Sequence, residues 1–279
     1  MRRIVLTLAV VFLALSSVPA WAQETETATL QRVPAASRSQ AECSGFIAEV
    51  PQPSDLFVAG GADDDFRSKV RQFVEGESVF LSQPKGEAVT MGAVYRVIRP
   101  ATELFTTMHY SDEGSEIRKT GKPYQDIARV QVTHLTPQGA VARVAFSCAP
   151  ILPGDSLIPY QPRPIPDYVV TKPLDPFTPL DSNKQHGRII ASHNNLGNFG
   201  DGTVIYVNLG ERGGLVSGRR LRIYKNLPPV SIGYGTKQQT PYETVGEAVV
   251  LSLESGTCVA MVVSSYRDID AGDYVEVED

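Results

Sequence analysis

The sequence predicts an all-β protein: two tandem small β-barrels, SH3-like or related in topology, joined by a proline-rich linker, with one short helix inserted in the first. A hairpin and its repetition predict it. Residues 203–224, TVIYVNLGERGGLVSGRRLRIY, read as strand, glycine turn, strand. β-Branched and aromatic residues run up to Leu209, and Gly210, Gly213 and Gly214 free the backbone. Leu221 and Ile223 then alternate with Arg220 and Arg222, as on a half-buried strand. A degenerate copy at residues 79–99 aligns without a gap at an offset of 126, placing Val79, Phe80 and Leu81 on Ile205, Tyr206 and Val207. Residues 127–159 fall on 245–277 at an offset of 118, which pairs Val132 with Val250, Leu135 with Leu253 and Gly154-Asp155 with Gly272-Asp273. A shorter match lays residues 44–50 on 186–192. Blocks in one order at consistent spacing identify a duplicated module.

At the start, Met1-Arg2-Arg3 precede an apolar run over residues 4–15 and the small-residue site Ala20-Trp21-Ala22. This is the pattern of a secretory signal peptide cleaved after Ala22, so the mature chain is expected in the periplasm or secreted, with no transmembrane segment. Losing Arg2 and Arg3 takes the net charge from −5 to about −7. That acidic balance excludes a nucleic-acid partner, whose phosphates need a basic face, and electrostatic docking on anionic lipid. Residues 23–42 have few large apolar side chains and are expected to be a flexible leader.

Module one is placed at residues 43–160, with its first strand at 45–50 and an insertion behind it. In the insertion Asp63-Asp64-Asp65 precede Phe66, Val70 and Phe73, the spacing of a short amphipathic helix with acidic capping. Residues 161–185 form the linker, whose prolines at 162, 164, 166, 173, 176 and 179 dictate extended geometry. Module two spans residues 186–279. Five or so short strands per module, with glycines at the corners, suggest closed or partly closed barrels.

Each module has a long excursion at the same place, residues 100–123 in one and 226–241 in the other. Loops on a rigid β scaffold are where binding resides. Phe105, His109 and Tyr110 in the first, and Tyr234, Lys237 and Gln238 in the second, are therefore the candidate ligand contacts. Cys43 and Cys148 both belong to module one, one before the first strand and one just before the last, where barrel closure can bring them together as a disulfide. Cys258 lies at the start of a core-directed strand and reads as a buried, inert thiol. His109, His134, His186 and His193 have no partner at metal-ligand spacing and read as surface or linker residues. No nucleophile elbow, metalloprotease motif or phosphate loop is present, so neither metal nor cofactor is expected. Asp155 and Asp273, each after a glycine, read as turn residues whose carboxylates satisfy backbone amides.

The second module resembles the C-terminal barrel of two kinds of bacterial envelope protein, the flagellar assembly protein T family and exported proteins carrying LysM peptidoglycan-binding modules. Asn208, Leu209, Gly210, Leu215 and Gly218 carry the likeness, and module one keeps only Val89 and Gly92 of it. No LysM module is recognisable. The resemblance implies a scaffold and a compartment, and suggests a non-enzymatic envelope adaptor binding a protein partner or peptidoglycan through barrel loops. An exported hydrolase with a cleft between the modules is the alternative, for which Glu211, Arg212, Asp155 and Asp273 are the polar positions to check, and homo-oligomeric assembly is a third reading.

Overall fold

The computed structural model describes residues 31–61, 72–82 and 88–278. The signal segment, residues 23–30 of the leader and the expected helix up to Val70 lie outside them; Phe73, expected on that helix, instead bridges Ile151 as a strand residue, with Phe73 N donating to Ile151 O at 3.0 Å and Ile151 N to Phe73 O at 2.8 Å. The described chain opens with an arm: β1 (Arg32–Pro34), α1 (Arg38–Glu42) and β2 (Phe46–Ala48). α1 begins where Ser37 and Gln40 cap each other, Ser37 N donating to Gln40 Oε1 at 2.9 Å and Gln40 N to Ser37 Oγ at 3.2 Å.

Barrel one follows as β3 (Val58–Gly61), β4 (Ser78–Leu81), β5 (Val94–Pro100), α2 (Glu113–Thr120), β6 (Lys122–Thr136), β7 (Gly139–Ser147) and β8 (Ser156–Pro159). Its antiparallel strands run in the order β3-β4-β7-β6-β5-β8. The ring closes by a bridge between Phe57 and Ser156, with Val58 N donating to Asp155 O at 2.9 Å and Gly154 N to Val58 O at 2.8 Å. β2 lies outside the ring, on the N-terminal end of β6. The linker contains β9 (Asp167–Val169). Barrel two comprises β10 (His186–Ser192), β11 (Asn198–Phe199), β12 (Val204–Val207), β13 (Arg220–Asn226), β14 (Val230–Ser231), β15 (Lys237–Gln238), β16 (Tyr242–Leu253), β17 (Cys258–Ser265), β18 (Ile269–Asp270) and β19 (Tyr274–Val277). It is a closed barrel ordered β10-β12-β17-β16-β13-β19, six strands where sequence suggested five or so.

Cross-strand register carries the duplication down to single residues. Val79 faces Ala142 in barrel one, and Ile205 faces Ala260 in barrel two, so the offsets of 126 and 118 hold at once. Val97 opposite Ala128 becomes Ile223 opposite Gly246, and a β-bulge follows at the same position in both. Closure repeats too: Ile189 N donates to Asp273 O at 2.8 Å and Gly272 N to Ile189 O at 2.9 Å. The first strand corrects the sequence reading. Val58 faces Leu81 as Ile189 faces Val207, so β3 is the partner of β10 at an offset of 131, and residues 44–50 are not. The short match SGFIAEV had attracted the alignment to β2, a strand with no equivalent in barrel two.

Two further expectations are corrected. Residues 31–42 are part of the fold: β1 pairs with β9, Val33 opposite Tyr168, so leader and linker form a ribbon. The linker is also clamped. Arg222, 1 % exposed, donates from Nη1 to Glu276 Oε2 at 3.2 Å and to Pro179 O at 3.3 Å, from Nη2 to Thr178 O, and from Nε to Thr244 Oγ1 at 2.8 Å. Asp181 N donates to Glu276 Oε1 at 2.7 Å. Arg222 is therefore covered by the linker instead of facing water, while Arg220 on the same side pairs with Glu247 of β16.

Each barrel encloses its own apolar core, Val58, Val97 and Ile127 in one and Ile205, Leu221 and Val262 in the other. A third core lies between them: Phe46, Ile98, Leu104, Ile117 and Tyr124 meet Tyr206, Val249, Leu251, Val259 and Met261. Each of the latter contributes roughly 1.5–3 kcal/mol by its burial. Gln31–Asp279 form one compact unit accordingly.

Candidate functional site

The first excursion leaves barrel one at the end of β5 and turns over barrel two. Phe105 packs against the core between the barrels, with the Arg118 guanidinium 5.8 Å from its ring centroid. His109 Nε2 lies 3.0 Å from Asn195 O, and Asn195 Nδ2 donates to Glu103 O at 2.8 Å. Tyr110 is held more tightly: its hydroxyl donates to Ile190 O at 3.2 Å, and the Arg188 guanidinium sits 4.2 Å from its ring centroid. A Cβ at Gly272 would come within 2.9 Å of the Tyr110 ring, so the glycine admits it. Burial pushes the Tyr110 phenol well above its ordinary pKa. His109 and Tyr110 thus contact the protein surface of barrel two, and Phe105 lies against the core between the barrels.

The rest of the seam is built in the same way. Tyr206 OH donates to Ser44 O at 2.9 Å and lies 3.0 Å from His193 Nδ1, and burial lowers the His193 pKa. Gly45 is required here, with φ +66° and the Tyr206 hydroxyl 2.5 Å from where a Cβ would stand. Thr257 Oγ1 donates to Ile47 O at 2.8 Å. Two of the four histidines thus serve the seam, contrary to their reading as surface or linker residues. His186 meets that reading, 3.0 Å from Asp181 O, as does exposed His134.

The second excursion projects into solvent as the ribbon β14–β15. Lys237 and Gln238 form β15, and Tyr234, with φ +48°, stands at the tip fully exposed. Val230 and Ile232 are more than half exposed beside it. No continuous aromatic patch joins the two excursions, because Tyr110 faces barrel two.

Cys43 and Cys148 form the expected disulfide, Cα–Cα 5.5 Å, between the end of α1 and the end of β7. Cys258 is buried, and desolvation pushes its thiol up. Both Gly-Asp turns use their carboxylates as expected: Asp155 Oδ2 accepts from Leu152 N and Asp273 Oδ2 from Asp270 N, each at 2.8 Å. Each also meets a cation at the duplicated position, Arg99 at 2.7 Å and Lys225 at 3.6 Å. Burial nevertheless pushes the Asp273 carboxyl up to about 6. Its folded pKa lies above the unfolded one, so its stabilisation is complete below the ordinary value of 3.8 and lost as pH rises to about 6. Asp273→Asn should therefore gain on the order of 1–2 kcal/mol over wild type at pH 7.5 and nothing at pH 3.5, read from urea midpoints at the two pH values.

At the rim of the seam a cleft of about 320 Å³ is lined by Phe46, Gln52, Arg96, Arg163 and Glu254 among others. Arg96 and Arg163 share the buried carboxylate of Asp126, which also accepts from Gly45 N at 2.9 Å. Glu254 is the one carboxylate in its lining. Arg212 pairs with Glu49 at 3.1 Å across the barrels, and among the described residues no group of three or more potential metal ligands converges. No described helix is long and apolar enough to cross a membrane.

The fold and its surfaces define a tandem, fused pair of six-stranded antiparallel barrels. No protein-family model matches the chain, and no curated protein matches it in sequence.

Proposed function

We propose that the chain is an exported, non-enzymatic adaptor of the bacterial cell envelope that grips a protein partner through the loops of its barrels. One observation carries this reading. The loop between the third and fourth strands of barrel one is already a protein-binding element, with barrel two as its ligand. Barrel two presents the equivalent loop to solvent with Val230, Ile232 and Tyr234 uncovered. Exposed apolar groups on a rigid scaffold mark interaction sites. A disulfide supports the oxidising compartment that the signal sequence implies, and the likeness of residues 186–278 to envelope barrels agrees with it.

The test uses residues 23–279 against cross-linked envelope extract and, in parallel, purified peptidoglycan sacculi. The adaptor should recover one discrete protein from the extract, and Ile232→Asp with Tyr234→Asp should abolish it. Retention on sacculi that the same substitutions remove would reassign the loop to the wall polymer. Tyr110, which holds the seam, is not a residue to vary in this test.

A further inference from the structure

The barrels pack head to tail. The head of barrel one, Ile98 and Tyr124 of the ring together with Phe46 of β2, Leu104 and Ile117, covers the tail of barrel two, the outer face carrying Val204, Val249, Leu251 and Met261. Such a contact between repeated units is heterologous and leaves one head and one tail free. The register equivalences locate both. The free tail is the outer face of β4, β6 and β7, where Ser78, Gln131, Thr133 and Arg143 stand in place of those four apolar residues. Apart from Phe80, which stands in place of Tyr206 and is 43 % exposed, these outward positions are polar, as in a terminal repeat that caps an array. The free head is on barrel two, where Tyr224 and Tyr242 take the places of Ile98 and Tyr124. Tyr224 is itself buried against Tyr242 and Tyr274, and the uncovered part of the head is Tyr242, 43 % exposed, with Ile232 and Tyr234 of the ribbon.

We propose that this free head docks the apolar outer face of a β-sheet in a different protein, in the way that barrel one holds barrel two. The inference rests on the adaptor reading and names the chemistry of its partner. A second copy of this chain does not fit, because docking would take the Arg143 guanidinium out of water. Barrel two's own tail is already covered.

The chain can serve as its own probe. Ser78→Val, Gln131→Val, Thr133→Leu and Arg143→Met together rebuild the seam's tail on barrel one, at outward positions that leave its core intact. Wild type should sediment as a monomer. The grafted variant should assemble with concentration, its average mass rising at least about two-fold, and adding Ile232→Asp and Tyr234→Asp should return it to a monomer. A graft that stays monomeric, or assembles regardless of the head substitutions, overturns the proposal. Should the graft not fold, a photo-cross-linker at Tyr234 in the otherwise wild-type chain decides. Attachment to outward residues of a partner's β-sheet supports the proposal, and attachment to a second copy, to glycan or to a non-β surface overturns it. Failure of the adaptor reading looks different, since no protein is then recovered from the extract.

Discussion

Replacing Cys43 and Cys148 by serine should lower the unfolding free energy by about 3–5 kcal/mol, because the cross-link closes a long loop that the unfolded chain otherwise explores freely. The two cysteines are 105 residues apart, and in the chain-entropy account a loop of that length is worth nearly the largest such effect. The disulfide also fixes the arm. Cys43 follows α1 directly, and β2, three residues further on, supplies Phe46, Ile47 and Ala48 to the core between the barrels. Guanidinium unfolding of the double-serine variant should show a lower midpoint, with β2 amides exchanging before those of either barrel. Coincident unfolding curves for variant and wild type would mean that the arm is held by its packing alone.

Arg222→Met should cost about 3–5 kcal/mol, since it leaves the carboxylate of Glu276 buried without its countercharge. Glu276 is as buried as its partner, at 1 % exposure. Removing both charges together, Arg222→Met with Glu276→Leu, should cost much less than the sum of the two single changes, as a buried pair is often replaceable by apolar residues of similar volume. The remaining loss in the double variant should come from the linker, whose carbonyls at Thr178 and Pro179 lose their donor. A double-mutant cycle with a coupling energy near zero would refute the pairing.

The duplication was legible because its apolar positions repeat at two fixed offsets, and strand register bears out both. The first strand was misplaced for a physical reason. β3 has only Val58 as a large core residue before Gly60 and Gly61, so β2, all apolar, gave the better match. The seam had a sequence signal that went unused. Val204-Ile205-Tyr206-Val207 and the run Ala248 to Leu251 are continuously apolar, which means burial on both faces. Their counterparts in barrel one, Ser78 to Leu81 and Val130 to Thr133, alternate with polar residues, apart from the exposed Phe80, and keep one face toward solvent. Arg222 looked solvent-facing because alternation reports only which residues leave the barrel core, not what covers them. The loop candidates divided likewise: both excursions were found, but nothing in Phe105, His109 and Tyr110 distinguishes a contact to an outside ligand from a contact to the second half of the same chain.

The claim on which the rest depends is that the apolar seam fuses the two barrels into one folding unit, and scanning calorimetry of the chain tests it directly. Wild type should show a single transition whose calorimetric and van't Hoff enthalpies agree, and two separate transitions should appear once Met261→Asp places a charge in the seam. Two resolved transitions in the wild-type protein, or a calorimetric enthalpy about twice the van't Hoff value, would contradict it and leave two barrels that fold independently.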